Sequence, residues 1–362
     1  MVEKINATNN RAASEEVTID VVAQMAGVSP ATVSRVINNR PVVSKMTRQR
    51  VLEAMTRLNY QPGTQGRPSA MPRMRTLGVV IADIANPFYA EIVRGIEETA
   101  LLYGLNIVLY DTLDNAEREA QFLSLLEERQ TDGLIICASC LPEQRLRSLL
   151  REEIPVVFIN HLPLSASLGT VEIDQEAGIR AAMQHLVDLG HRRIAFVGGT
   201  PGAQIYQRRL ATFRATCAEA GMAIPENYVV PGKPTLEGGR ETAHELLKSS
   251  IQPERAKNAA SPTALLAYND LVAVGAMIAA QEAGLVVPDQ LSIVGYDNIP
   301  FAGLLQPALT TVQQPARVLG EQAMQLITSY LQAHALPENG PTFVRLTPTL
   351  IVRASTAPAP AQ

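Results

Sequence analysis

The chain has 362 residues, is 46% hydrophobic, and carries 31 basic and 35 acidic residues for a formal net charge of −4. This length exceeds one compact domain and suffices for a small module together with a large α/β unit that buries a sizeable core. No run of eighteen apolar residues occurs and residues 1–16 are polar, which argues against a membrane span or a secretory signal, so we expect a cytoplasmic protein with a flexible N-terminal tail.

Residues 18–38 predict two short helices joined by a tight turn, with Gly27 as its pivot. Thr18 is placed to cap the first helix. Val22 and Met25 recur there at helical spacing, so we expect both to face a core.

The second helix begins with Ser29 as its cap and Pro30 at its first position. Its apolar side is formed by Val33, Val36 and Ile37, and the side chains left available are Ala31, Thr32, Ser34 and Arg35. Small polar side chains and an arginine on the second helix are typical of a helix-turn-helix, which places that helix in the DNA major groove. A two-helix hairpin without a DNA partner has the same periodicity, so spacing alone leaves both interpretations open.

The charge distribution favours DNA binding. Residues 17–76 contain nine Lys and Arg against two acids, a net charge of +7, whereas the residues after 76 sum to −10. A basic module fused to an acidic remainder indicates a nucleic-acid reader with a separate domain, because phosphate neutralisation supplies most non-specific affinity. A solvated basic face with no partner is the alternative.

A third helix is predicted from its cap Ser44 to about Asn59, which would close a three-helix core. Its apolar side consists of Val51, Met55 and Leu58. Residues 61–75 then hold three prolines and two glycines among basic residues. They predict a linker that cannot be a regular helix throughout.

Beyond the linker, apolar strands alternate with amphipathic helices. The strand candidates are Leu77–Ile81, Asn106–Tyr110, Gly133–Ile136, Val156–Ile159, Thr170–Ile173, Arg193–Val197, Ala264–Ala267 and Leu291–Val294. The helix candidates are Ala90–Tyr103, Arg118–Arg129, Glu176–Leu189, Gln207–Ala220, Gly239–Lys248, Asp270–Ala283 and Ala316–Ala333. This alternation predicts parallel sheets covered on both faces, and the number of strands favours two lobes with a cleft between them. Ligands bind at the carboxyl ends of such strands, where the tracts 82–89, 159–161, 268–270 and 295–298 lie.

The chain contains seven well-separated sequence motifs that can be compared with known families. They are AGVSPATVSRVIN, LNYQP, IANPFYAEIVRGIE, HLVDLGHRRIAFVGG, YND, SIVGYDN and PALTTVQQP. Together they resemble the lactose-repressor and galactose-repressor (LacI/GalR) family of bacterial transcription factors. The resemblance implies an α-helical helix-turn-helix headpiece and an α/β two-lobed core similar to periplasmic sugar-binding proteins, usually as a dimer. The chain is then expected to cross between the lobes three times.

The expected domain boundaries follow from this resemblance together with the linker composition. They are a tail at 1–16, a DNA-binding domain at 17–62, a hinge at 63–76, a core at 77–353 and a flexible tail at 354–362. Within the core, one lobe is expected at about 77–174 plus 315–340. The other is expected at about 175–314 plus 341–353.

By the same resemblance, Pro30 and Ala31 occupy base-discriminating positions of the recognition helix. Arg35 stands at a further base or phosphate contact. Pro30 has no donor to offer and Ala31 only a methyl group, so hydrogen-bonded readout is expected from Arg35, with Ser29 and Thr32 as further candidates. The full predicted DNA-binding set is Thr18, Ser29, Pro30, Ala31, Thr32, Ser34, Arg35, Asn38 and Arg67.

The linker departs from the family pattern, in which a leucine inserts into the minor groove and bends the duplex. Arg67 stands at the family's arginine position, but Ser69 replaces the leucine and cannot insert in this way. Either Met71 takes over, or the operator is bent less and the headpiece supplies more of the binding.

For the effector pocket, the matching positions are Phe88, Tyr89, Asn160, Arg209, Asn269 and Asp297. Carboxylate, amide and guanidinium groups beside aromatic rings suit a polyol or sugar. Taken singly, Asp297 could instead cap a turn, Asn269 could cap the following helix, and Phe88 could be a core residue.

An enzyme is not favoured, because the glycines near residue 200 lack the G-x-G-x-x-G order and no P-loop lysine, serine elbow or histidine metal spacing occurs. Cys137 and Cys140 form a C-x-x-C without a second pair, so we expect buried thiols. We expect no cofactor and no metal. A transport or chemotaxis binding protein is the rival from another class, against which the basic headpiece argues.

The combined prediction is a DNA-binding transcriptional regulator, a repressor, whose operator affinity responds to a sugar-like effector. We expect a homodimer on a pseudo-palindromic double-stranded operator, with no membrane partner. The tail has no heptads for a tetramerising coiled coil.

Overall fold

The computed structural model describes residues 19–37, 43–58, 60, 75–125, 131–149, 154–161, 169–251, 261–333 and 342–360. The chain divides into two compact units, residues 1–72 and 73–362. The predicted DNA-binding residues Thr18, Asn38 and Arg67, and Ser69 in the linker, lie outside the described residues.

The first unit contains three helices in its described part: α1 (Ile19–Ala26), α2 (Pro30–Ile37) and α3 (Lys45–Arg57). Their shared core consists of Val22, Ala23, Ala26, Val33, Val36, Val51 and Ala54. Met25, which was expected to face this core, is instead 50% exposed. The small side chains of Ala23 and Ala26 take the inward positions, which lets the three short helices approach closely.

The turn between α1 and α2 depends on Gly27, whose φ of +64° suits glycine. Arg50 on α3 donates from Nη2 to the backbone oxygen of Ala26 at 2.6 Å, which satisfies a free carbonyl at the end of α1. Ser29 caps α2 by accepting the Thr32 N–H at 3.3 Å. Ser44 caps α3 by accepting the Thr47 N–H at 3.2 Å.

The second unit contains two six-stranded sheets in its described part, each the centre of one lobe. The first sheet consists of β1 (Thr76–Ile81), β2 (Asn106–Asp111), β3 (Gly133–Cys137), β4 (Val156–Ile159), β5 (Gly169–Ile173) and a strand near the C-terminus, β11 (Phe343–Leu346). Their spatial order is β11-β5-β4-β3-β1-β2, with every pairing parallel. The helices of this lobe are α4 (Pro87–Leu102), α5 (Ala116–Leu125), α6 (Glu143–Leu149) and α11 (Ala316–Ala333).

The second sheet consists of β6 (Ile194–Val197), β7 (Val229–Val230), β8 (Ala264–Ala267), β9 (Ser292–Asp297), β10 (Thr310–Gln313) and β12 (Thr349–Ile351). The order is β12-β10-β9-β8-β6-β7, parallel except for the antiparallel pair of β10 and β12. Its helices are α7 (Gln175–Asp188), α8 (Gln204–Glu219), α9 (Leu236–Ile251) and α10 (Asp270–Glu282). The predicted fold class is confirmed.

The chain passes between the lobes three times: after β5, after β10, and between β11 and β12. The expectation that 341–353 belongs to the second lobe is wrong for β11, because Phe343–Leu346 pairs with β5 in the first sheet. The last crossing therefore lies at the two residues 347–348. Buried β5 needs a partner on its outer edge, and β11 covers that edge.

The expected flexible tail at 354–362 is also corrected, because 354–360 packs on the second lobe. Ser355 is fully buried. The His191 ring nitrogen Nε2 lies 3.0 Å from the backbone oxygen of Ala357. Small side chains allow this segment to lie close to the lobe and to pair its buried polar groups, which its alanine- and proline-rich composition did not indicate.

Among the described helices, none is long and apolar enough to cross a bilayer.

Candidate functional site

A cleft of about 480 Å³, partly open to solvent, lies between the two lobes. It is lined from the carboxyl ends of strands in both sheets, as expected for parallel α/β architectures. The cleft brings together all six predicted effector-site residues, which are Phe88, Tyr89, Asn160, Arg209, Asn269 and Asp297.

The aromatic side of the cleft is positioned by the start of α4. Asn86 caps this helix by accepting the Phe88 N–H at 3.0 Å, and Pro87 occupies its first turn. The rings of Phe88 and Tyr89 meet edge to face, with centroids 5.3 Å apart. Burial raises the pKa of Tyr89 well above its ordinary value, so its hydroxyl stays protonated as a hydrogen-bond donor.

Arg209 on α8 is held firmly within the cleft wall, with 3% exposure. Its Nε donates to Gln175 Oε1 at 2.9 Å and its Nη1 donates to the Tyr268 backbone oxygen at 2.5 Å. The guanidinium carbon lies 3.7 Å from the centroid of the Tyr296 ring, a cation–π contact. Its neighbour Arg208 does not line the cleft and pairs instead with Glu172 at 2.8 Å.

The two asparagines have structural bonds as well as cleft-facing positions. Asn160 has a φ of +55°, and its Oδ1 accepts the Ile173 N–H at 2.9 Å. Asn269 caps α10 by accepting the Val272 N–H at 2.8 Å, so the capping interpretation holds for it together with its place at the cleft. Both side-chain oxygens already accept a backbone N–H, and Asn269 Nδ2 also donates to the Pro234 backbone oxygen at 2.9 Å, so a ligand would meet the remaining amide hydrogens.

Asp297, the last residue of β9, is 6% exposed and has a φ of +120°. A non-glycine residue in this region is strained, and such residues cluster at functional sites. Gln314 donates from Nε2 to Asp297 Oδ1 at 2.6 Å. Burial raises the pKa of Asp297 to about 7, although Arg209 and hydrogen bonds from Gln314 and Asn86 oppose this shift.

The cleft also contains residues that were not predicted, above all Asp83, Asn86, Asp114, Tyr268 and Gln314. Four of them lie inside or beside motifs that the sequence analysis singled out. Asp114 lies outside these motifs, and its position just after β2 was the available indication. Burial raises the pKa of Asp114 to about 6, with a further contribution from the negative charge of Asp83.

The predicted DNA-reading surface lies on α2. Ser29, Pro30, Ala31 and Arg35 are exposed, while Thr32 and Ser34 are half-buried. Within the described part of the chain, Arg35 has no ion pair, so its guanidinium is available.

In the described residues, no group of three or more His, Cys, Asp or Glu side chains is arranged to hold a metal ion. Cys137 and Cys217 are buried free thiols, and Cys140 is half-buried.

Two family sequence models match the chain. "Bacterial regulatory proteins, lacI family" covers residues 18–63, and "Periplasmic binding protein-like domain" covers residues 183–356. Among curated relatives, Catabolite control protein A of Priestia megaterium is 37% identical over 316 residues, which cover 87% of this chain and 92% of the relative.

Solved structures give the same result. The transcriptional regulator CelR in complex with cellobiose has a TM-score of 0.67 and 29% identity, covering 94% of this chain and 100% of that one. The lac repressor dimer bound to operator and the anti-inducer ONPF has a TM-score of 0.66 and 28% identity, covering 95% of this chain and 100% of that one. Both similarities extend over the headpiece and the core.

Proposed function

Because the chain belongs to the lacI family of bacterial regulatory proteins, we propose that it is a cytoplasmic repressor whose operator affinity is set by a sugar-like effector. The named relatives are transcriptional regulators and not enzymes.

The exposed face of α2 is the observation that supports the proposed DNA binding. Arg35 can donate two hydrogen bonds to a guanine, and the Ala31 methyl can contact a thymine methyl. The surrounding residues 17–76 carry a net charge of +7, which supplies affinity for the phosphate backbone. Thr18, Asn38 and Arg67 stay predictions as DNA contacts.

The residues of the cleft support the proposed binding of a sugar-like effector. Tyr89 and Phe88 offer aromatic surface, and Asp297, Arg209 and the two asparagines converge on the same space. Such a mixture suits the alternating hydroxyl groups and apolar faces of a sugar. The CelR relative contains cellobiose, which gives the sugar class independent support.

A homodimer would match a pseudo-palindromic operator. The edge strand β2 and the end of α4 expose apolar side chains that a monomer would leave in water; these are Leu101, Leu102, Tyr103, Val108 and Leu109. An apolar surface at a sheet edge is typical of an interaction site. We assign the dimer contact to this α4–β2 surface.

Effector binding would control operator affinity by changing how the two lobes are arranged relative to each other. A ligand shifts this equilibrium only through a difference in its affinity for the two arrangements. Reorientation of the lobes in each protomer would change the separation of the two linkers, and with it the simultaneous docking of both headpieces.

The test is selection of duplexes from a random pool by the full-length protein, followed by titration of the selected site. We expect a pseudo-palindromic consensus and a binding constant that falls steeply with salt. Thermal-shift screening against sugars should identify an effector, since a ligand at a hundred times its dissociation constant adds about 2.7 kcal/mol of stability. Equal affinity for selected and random duplexes, with and without sugars, would reject the proposal.

A further inference from the structure

The cleft is lined by more acidic than basic side chains. Three carboxylates, Asp83, Asp114 and Asp297, line it beside a single arginine, Arg209. None of the three carboxylates forms an ion pair within 4.0 Å among the described residues, and two of the Arg209 nitrogens already donate to protein oxygens. A phosphate or carboxylate on the ligand would therefore meet repulsion without a free cation to offset it.

One buried acceptor of the cleft also lacks a partner. Gln314 is 4% exposed, and its Oε1 has no hydrogen-bond partner, while its Nε2 is used on Asp297. Leaving a buried carbonyl oxygen unpaired is costly, so this atom indicates a donor that is supplied by the ligand. The ligand must accordingly offer an O–H or N–H group at this position.

The acceptors of the cleft form two groups. Asp297 and Gln314, joined by their hydrogen bond, form the first. Asp114 and Asp83 form the second, in which the two negative charges interact, and Cys140 Sγ is a weak donor 3.9 Å from Asp114 Oδ1. Tyr89 and Tyr268 line the same cleft.

We propose that the effector is an amino-substituted polyol of the hexosamine class, with its protonated amine at Asp114 and Asp83 and its hydroxyls toward Asp297 and Gln314. This inference deepens the proposed function and rests on it. An ammonium group relieves the repulsion between Asp83 and Asp114, whereas a neutral hydroxyl does not. The rings of Tyr89 and Tyr268, which line the same cleft, offer a cation additional aromatic contact.

The test measures the binding of matched sugars to the full-length protein by calorimetry at pH 7. D-glucosamine, D-galactosamine and D-mannosamine are each compared with the parent hexose, the N-acetyl derivative and the amine 6-phosphate. We expect at least one free amine to bind tenfold or more tightly than its parent and its N-acetyl form, and the 6-phosphates to bind most weakly. A parent hexose, an N-acetyl sugar or a 6-phosphate that binds as well as the amine, or no binding by any amine, overturns the proposal.

Two variants test whether the amine of the ligand binds at Asp114. Asp114→Asn should lower affinity for the preferred amine at least tenfold and leave affinity for the parent hexose unchanged. Asp289→Asn is the matched control, because Asp289 is an exposed carboxylate that does not line the cleft. An equal loss in both variants, or no loss in Asp114→Asn, would contradict the assignment.

Operator binding separates this inference from the function on which it depends. The wild-type protein and the Asp289→Asn control should bind the selected duplex equally well without sugar. If a neutral hexose changes operator affinity at a lower concentration than every amine does, the proposed function stands and the amine is rejected. If no selected duplex is bound at all, the proposed function itself fails.

Discussion

Two arginines singled out from the sequence differ in what their guanidinium groups already contact. Arg209 is buried, donates to Gln175 and to the backbone of Tyr268, and lies against the Tyr296 ring. Arg35 is exposed on α2, without an ion pair in the described residues. The first is therefore a fixed part of a binding wall, and the second is free to adapt to a partner.

Arg35→Ala should weaken operator binding by about 1–3 kcal/mol and relax sequence preference, because a base-reading arginine is lost. Arg57→Ala, at the exposed end of α3, is the matched control. It should weaken selected and random duplexes alike, if at all, because a phosphate contact carries no sequence information. Gel shifts at fixed salt with both duplexes measure the difference. Unchanged discrimination in Arg35→Ala would contradict the placement of α2 in the groove.

Asp297 gives a prediction of pH dependence. Burial raises the pKa of Asp297 to about 7 from its ordinary value of 3.8. The folded protein then binds this proton more tightly than the unfolded chain does. Protonation of Asp297 therefore contributes fully to the free energy of unfolding below about pH 4, and this contribution is lost as pH rises through 7. Asp297→Asn, which cannot ionise, should have a Tm several degrees above that of the wild type at pH 8 and close to it at pH 4.5.

Differential scanning fluorimetry without ligand at both pH values measures this change. Asp289→Asn, an exposed carboxylate in the same lobe, should shift the Tm by less than a degree at either pH. If the Tm difference between Asp297→Asn and the wild type does not grow with pH, ionisation of Asp297 does not destabilise the fold.

Five of the six cleft residues could be predicted because each lies in a motif or tract at the end of a strand, whereas Arg209 on α8 was predicted from the family resemblance alone. Asp114 and Gln314 show the limit of that reasoning. A single acid after β2 looks like any turn residue, and the unpaired oxygen of Gln314 arises from packing between segments far apart in sequence. Burial and pairing, which decide how such groups behave, are properties of the folded chain.

Among the elements, long apolar strands and amphipathic helices were predicted with ends within a few residues, while β7, β10, β11, β12 and α6 were missed. These are short, and β10, β11 and β12 contain polar or exposed residues that hide an apolar pattern. Such segments become strands because a neighbouring strand offers an unpaired edge. The edge is a tertiary feature that a local pattern does not contain.

An ion-pair cluster joins elements of both lobes. Glu172 on β5 is fully buried and contacts Arg208 on α8 at 2.8 Å and Arg345 on β11 at 2.9 Å. A buried carboxylate that loses a partner is costly, whereas removing both members of a pair is much less so.

Arg208→Met should therefore destabilise the core by about 1–3 kcal/mol, less than a completely broken pair because Arg345 remains. Adding Glu172→Gln should recover part of the loss, with a coupling energy of about 0.5–3 kcal/mol in the double-mutant cycle. Denaturant titrations of the wild type, both single variants and the double variant give this energy. Additive effects would show that the contact contributes nothing to stability.

For the whole molecule, oligomeric state depends on the α4–β2 surface. Leu102 is 83% exposed, so Leu102→Glu should leave the fold of one protomer intact while placing a charge in an apolar contact. We expect a shift from dimer to monomer by analytical ultracentrifugation, with weaker operator binding. Val286→Glu is the control, since Val286 is 53% exposed on the other lobe. A Leu102→Glu protein that remains dimeric would place the contact elsewhere.

The three passages of the chain between the lobes lie side by side. Leu346 is in register with Ile173 at the end of the first sheet, and Thr349 is in register with Gln313 at the end of the second. Only Thr347 and Pro348 separate the two strands of the last passage. Three short adjacent connections of this kind would restrict sliding of one lobe over the other and favour rotation about the line of the connections. Different ligands in the cleft would then change how far the molecule turns along a single coordinate, and graded responses to chemically related compounds become a natural property of this architecture.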